Sequence, residues 1–154
     1  MIIVTGGAGF IGSNFLHYLT RVTDDEVVVL DNITYAANES YIPSQHKFIW
    51  CDISDAEHVE YIFNKVKPTK VFNFAAESHV DNSIKDVTPF INTNITGTVN
   101  LLRSSVTHGV EKFHHISTDE VYGALGYNDP PFTETTPYDP QNPYAASKLS
   151  LIHI

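Results

Sequence analysis

Cysteine is nearly missing from this chain. Cys51 stands alone among 154 residues, so no disulfide can close within it, and a reducing compartment, the cytoplasm, is the expected setting. Basic residues are also scarce: nine Lys and Arg face eighteen Asp and Glu, a formal net charge of −9 with the histidines neutral. Nucleic acid and anionic membranes attract basic faces, so neither is expected as a partner. A phosphorylated small molecule stays compatible, because backbone N–H groups bind phosphate without net positive charge. Long apolar runs are missing too. No stretch reaches the ~18 residues of a spanning helix, and the start at Met1 carries no basic segment, so neither a membrane span nor a signal peptide is expected. What remains is an ordinary apolar fraction of 42% in a length that suits about one domain with a buried core.

Short apolar runs alternate with helical patterns. Strands are expected at 2–5, 26–30, 47–50, 70–74 and 112–117. Ile11, Phe15, Leu16 and Leu19 mark a helix over 10–22. Ser54 with Glu57 reads as a capping box opening a helix to about Val66. A long helix is expected over 88–108, stopped by Gly109, and another starts at Tyr144. Residues 123–143 form a loop rich in Pro, Tyr and Asp, and loops of that length are usually functional. Strands apolar on both faces and alternating with helices specify an α/β fold, a doubly wound parallel sheet of the Rossmann-like kind.

Between the first strand and the first helix lies Thr5-Gly6-Gly7-Ala8-Gly9-Phe10-Ile11-Gly12. Glycines at 6, 9 and 12 permit a tight turn, close approach of backbone to a pyrophosphate and close helix packing. The helix N-terminus favours the anion. Asp31 ends the second strand, where a carboxylate accepts from a ribose diol and repels a 2′-phosphate. The expected cofactor is NAD, not NADP.

Tyr144 and Lys148 stand at i and i+4, on one helix face. A nearby ammonium lowers a phenol's pKa, so Tyr144 is expected to act as base while hydride leaves for a nicotinamide. His114 and His115 alternate across a strand, so no metal pair is expected there. His79 receives no role.

The glycine pattern and the Tyr144/Lys148 pair together resemble the extended short-chain dehydrogenase/reductase family. Three segments narrow the resemblance: Leu30-Asp-Asn-Ile-Thr-Tyr-Ala-Ala-Asn38, Ala75-Ala-Glu-Ser-His-Val-Asp-Asn-Ser83 and Ser117-Thr-Asp-Glu-Val-Tyr-Gly123. They look like the nucleotide-sugar 4,6-dehydratases of the dTDP-glucose type, over residues 2–148. This resemblance implies an NAD-dependent hydro-lyase converting dTDP-glucose to its 4-keto-6-deoxy product by internal hydride transfer. It implies Glu120 as base at C5, Asp119 as acid for the C6 hydroxyl, held protonated by burial, and Thr118 on the substrate hydroxyl beside Tyr144. Phe10, Ile11, Asp31, Asn32, Ile33, Thr34, Asp52 and Ile53 would surround the adenosine end of NAD. Phe74, Ala75, Ala76 and Ser78 would line the cofactor, Ser78 also reaching substrate, and Thr93 would touch NAD from the long helix. Asn32 stands where many members carry Lys.

The family would continue past Lys148 into a sugar-nucleotide-binding C-terminal part, so a truncated fold without that part is expected. Residues 1–148 are read as the NAD-binding domain with its catalytic residues. Leu149 to Ile154 is also what the end of a transposase library adapter encodes, so 149–154 is expected to be a non-native tail. The fragment alone is expected to be inactive, and its full-length parent a homodimer. Two other readings stand beside this one: another extended-family UDP-sugar epimerase or decarboxylase, and a noncatalytic NAD-binding module.

Overall fold

The structure, a computed structural model, describes residues 1–152. Five parallel strands form one sheet in the order β3-β2-β1-β4-β5. They are β1 (Ile2–Thr5), β2 (Val27–Asp31), β3 (Lys47–Trp50), β4 (Lys70–Asn73) and β5 (Lys112–His115). Every residue of β1 and β2 is buried, which is why these runs are apolar without alternation. Val4 pairs with Val29 on one side and Phe72 on the other. Strand order reverses at β1, and such a switch point opens a crevice beyond the strands' carboxyl ends.

Two apolar layers sandwich the sheet. Helix α1 (Phe10–Val22) lays Leu16 and Leu19 on Ile2, Val4, Val27 and Val29. On the opposite face, α2 (Ala56–Val66) and α5 (Thr98–Thr107) bring Val59, Ile62, Phe63 and Leu101 onto Ile3, Val28 and Val71. Each fully buried aliphatic side chain contributes about 1.5–3 kcal/mol of transfer free energy.

Several boundaries differ from the sequence reading. β2 begins and ends one residue later than expected. β4 and β5 end earlier, although Phe74 and Ile116 each donate one more ladder-like bond, to Thr5 and Asn73. Asp55 caps α2 in place of Ser54: its carboxylate accepts from the His58 N–H, while the Ser54 hydroxyl donates to Asp52. The long helix is interrupted. Helix α4 (Thr88–Phe90) runs into a π-helical segment, Ile91–Gly97, before α5 resumes. Gly109, at φ +68°, follows its C-terminus as expected. A short helix α3 (Val80–Lys85) and a 3₁₀ turn, Asp119–Tyr122, were not foreseen; the last helix is α6 (Pro143–Ser150). The expected tail lies partly in α6, and His153 and Ile154 fall outside the described residues. Among the described residues no helix is long and apolar enough to cross a membrane.

Candidate active site and cofactor cleft

A cleft of about 340 Å³ opens at the carboxyl end of the sheet. Its floor is the glycine loop. Gly6 adopts φ +68°, and a Cβ there would lie 2.5 Å from the Ala75 nitrogen. A Cβ on Gly12 would strike the Gly6 carbonyl oxygen. Gly9 differs: its nearest neighbour to an added Cβ is 3.4 Å away, so packing does not forbid a side chain there. Gly9 is also the N-cap of α1 and supplies no side-chain cap. The first N–H groups of a helix lack intrahelical partners, and the residues that open α1, Phe10, Ile11 and Gly12, border the cleft beside Gly9. A bare helix N-terminus behind a glycine cradle fits a pyrophosphate.

Asp31 is 7% exposed and already engaged. One carboxylate oxygen accepts from Ala8 N–H and the other from Ile33 N–H, each at 2.9 Å. Each keeps lone-pair capacity, so the carboxylate ties the glycine loop to the segment after β2 and can still receive a diol.

The other expected cofactor residues fall along the cleft in order. Asn32, Thr34, Asp52 and Ile53 stand at the β2/β3 end, Phe74, Ala75, Ala76, Ser78 and Thr93 in the middle, and Tyr144 with Lys148 at the far end, while Phe10, Ile11 and Gly12 border the floor. Ile33 does not line it; its N–H turns inward to Asp31, and its backbone sits at φ +51°. Ala36, Ala37, Cys51, Glu77, Ile116 and Ser117 line the cleft unforeseen. Burial, with Asp52 and Asp55 nearby, pushes the Cys51 thiol up to about 12, so it serves as apolar wall. Beside the cleft, the Tyr35 hydroxyl donates to the Glu77 carboxylate at 2.9 Å, and His79 lies against the Tyr35 ring at 5.5 Å. This bond joins the loop after β2 to the loop after β4.

Thr118, Asp119 and Glu120 do not line the cleft itself; they flank Tyr144. The expected depression of the Tyr144 phenol is corrected: burial pushes its pKa up, the Thr118 hydroxyl pulls it down, and the Glu120 and Asp119 carboxylates add to the rise. Lys148 instead donates to the Ile116 carbonyl at 2.6 Å, and burial lowers its pKa to about 8. The expected burial of Asp119 is also absent: the residue is exposed on the open side of the turn. Thr118 caps that turn, accepting from Glu120 N–H at 3.3 Å.

Two asparagines missed by the sequence reading organise this end. Asn94, buried in the π segment, accepts from Glu77 N–H and donates both to Glu77 C=O and to Ser147. Asn142 caps α6, accepting from Ala145 N–H at 2.7 Å, and its amide nitrogen donates to Glu120 at 2.8 Å. Asn142 carried a legible signal, a cap-forming residue just before Pro143. Below them, Thr5 donates to Asn73, which donates to Thr98 and contacts His115 Nδ1. His115 Nε2 is buried without a partner among the described residues, and His114 packs on Phe72 across the sheet. No group of three His, Cys, Asp or Glu among the described residues could hold a metal.

The family model described as GDP-mannose 4,6 dehydratase matches residues 3–154. A dTDP-glucose 4,6-dehydratase of Haemophilus influenzae is 44% identical over an alignment of 167 positions, covering 99% of this chain and 49% of that protein. One from Mycobacterium tuberculosis is 47% identical over 152, covering 96% and 45%. The chain thus spans about half the length of these curated relatives. Among solved structures, the UDP-glucose 4-epimerase of Thermus thermophilus in complex with NAD superposes with a TM-score of 0.92 at 37% identity, over 99% of this chain and 48% of that one. DesIV, a dTDP-glucose 4,6-dehydratase of Streptomyces venezuelae with NAD bound, gives 0.89 at 42%, over 97% and 48%.

Proposed function

The chain belongs to the GDP-mannose 4,6 dehydratase family, and we propose that it is the NAD-binding and catalytic part of a nucleotide-sugar 4,6-dehydratase acting on dTDP-glucose. Fold likeness does not separate dehydratase from epimerase, since both superpose closely. The observation that carries the reading is the adjacent acid pair, Asp119 and Glu120, standing beside Tyr144. Exchange of configuration at C4 has no use for a second acid–base pair. Loss of water from C5 and C6 needs both members.

NAD held along the cleft would take one hydride from C4 and return it to C6, leaving the cofactor unchanged over a cycle. The chain's own residues handle the protons. Tyr144 takes the proton of the C4 hydroxyl as phenolate, the form that the Thr118 hydroxyl favours against burial and that a bound cationic nicotinamide would favour further. Ketone formation at C4 acidifies the C5 proton, which Glu120 removes. Asp119 protonates the departing C6 hydroxyl, which leaves as water. Glu120 then returns its proton to C5, and the proton taken by Tyr144 passes by way of solvent to Asp119, which restores both groups for the next cycle. Asp119 must be protonated for its step. We assign its cover to the bound sugar and to the part of the protein that its relatives carry beyond this length, and the 154-residue chain alone is expected to turn nothing over.

The same reading makes residues 1–148 the cofactor domain and 149–154 a non-native tail, which sequencing the source DNA past codon 148 decides. It places the protein in the cytoplasm, and the complete protein is a homodimer through its flanking helices, where exposed Ile84 and Ile91 support an apolar contact.

The deciding experiment is Glu120→Gln in the complete protein with dTDP-glucose. The parent should yield the 4-keto-6-deoxy sugar. The variant should still reduce NAD, seen by absorbance, without losing water. Formation of the C4 epimer with retained C6 hydroxyl, unaffected by the substitution, would make the protein an epimerase. NAD binding with no sugar chemistry in the complete protein would leave a binding module.

A further inference from the structure

The Asp119–Tyr122 turn and α6 carry different halves of the proposed chemistry, and one side chain joins them. Asn142 Oδ1 accepts from Ala145 N–H at 2.7 Å, which caps α6 two residues before Tyr144. Its Nδ2 donates to Glu120 Oε2 at 2.8 Å. The assignment of oxygen and nitrogen in an amide follows from its network, and here only one orientation serves both. The cap requires an acceptor and the carboxylate requires a donor.

Among the good N-cap residues, Ser, Thr, Asp and Asn, only Asn offers an acceptor atom and a separate donor atom at full side-chain length. Asp would cap equally well but put a second negative charge against Glu120. Ser would cap, with a single short hydroxyl in place of the amide's forward reach. A role confined to capping is therefore met by all four, and the donation to Glu120 is what Asn adds. The loop between the two elements reinforces the link, since Asp139 N–H donates to the Val121 carbonyl at 3.0 Å.

We propose that Asn142 is a positioning residue: it aims the Glu120 carboxylate and fixes it relative to the Tyr144 phenol, so that C4 oxidation and C5 deprotonation act on one bound sugar without rearrangement. This inference rests on the dehydratase reading. Removing one hydrogen bond to a charged group leaves Glu120 free to rotate from its productive position, and misplacement of a base slows its proton transfer sharply.

The test places Asn142→Ser and Asn142→Asp in the complete, NAD-loaded protein with dTDP-glucose. Both keep an oxygen at the cap, so melting temperature and KM stay near those of the parent. Elimination, read as keto-deoxy product, slows roughly tenfold or more. The oxidation phase, read as reduced-nicotinamide absorbance after rapid mixing, keeps its rate. Unchanged elimination in both variants overturns the proposal. So does a parallel fall in oxidation and elimination, or a large loss of melting temperature, because either marks a general disturbance of α6 and not the loss of one contact to Glu120. A parent that forms no keto-deoxy sugar defeats the dehydratase reading instead. The pairing is then read separately from the Asn142 side-chain amide resonances: they move in Glu120→Gln if the bond holds Glu120, and unmoved resonances overturn the proposal.

Discussion

Lys148 Nζ and the carbonyl of Ile116, the residue just past β5, meet at 2.6 Å, so one of the three ammonium donors of the Tyr144/Lys148 pair is held by the backbone and not by the phenol. Burial without a carboxylate partner lowers its pKa from 10.5 to about 8. The unfolded chain therefore holds this proton over a pH range where the folded chain has released it. Folded stability should rise with pH between about 8 and 10.5 on this account, by roughly 3 kcal/mol in total. Urea unfolding across that interval should show the rise, and Lys148→Met should remove it. Equal slopes in parent and variant would contradict the assignment.

His115 gives the opposite end of the pH scale. Burial, then the charge of Lys148, lowers its pKa from 6.5 to about 4. Below pH 6.5 the unfolded chain takes up a proton that the folded chain refuses, so stability present above that value is lost as pH falls toward 4. The ring should remain neutral at about pH 5.5 in nitrogen-15 spectra. Its Nδ1 should be the unprotonated nitrogen, since Asn73 donates there. A charged ring at that pH would refute this.

Two glycines of the loop should separate by role. Gly12→Ala drives a methyl into the Gly6 carbonyl and should cost about 1–3 kcal/mol or more of stability. Gly9→Ala meets nothing closer than 3.4 Å, so its melting temperature should hold while NAD affinity falls about tenfold or more as the methyl fills the anion cradle. Calorimetry and an NAD titration on the same two proteins check both halves.

Asp31→Asn removes the carboxylate that is expected to repel a 2′-phosphate. NAD binding should weaken and the preference for NAD over NADP should narrow, by about tenfold. A lower melting temperature should accompany this, because an amide cannot accept from both Ala8 and Ile33 as the carboxylate does. Unaltered discrimination between the two dinucleotides would remove Asp31 from the ribose site.

The strands, α1 and the glycine loop were legible because their signals are local: buried β-branched runs, a helical stripe and glycines at a strand-to-helix junction. Asp31 was legible by its place at a strand end. The π segment was not, since one inserted residue leaves an apolar stripe of much the same look. Ser54 and Asp55 are both good caps, and only the competing bond from Ser54 to Asp52 decides between them. The direction of the Tyr144 shift depended on how far Asp119, Glu120 and Lys148 stand from the ring, and spacing along the chain does not carry that. Asn142 offered a local cap signal before Pro143, but its bond to Glu120, 22 residues away, and the bonds of Asn94 to Glu77 and Ser147 link positions remote in sequence, which no local pattern carries.

The Tyr35–Glu77 bond ties together two loops that stand 42 residues apart in the chain. The loop after β2 holds Asn32 and Thr34 at one end of the cleft, and the loop after β4 holds Ala76 and Ser78 in its middle. A displacement of one loop is therefore felt by the other, and two stretches of wall that belong to different strand ends are coupled through one exposed contact worth on the order of 1 kcal/mol.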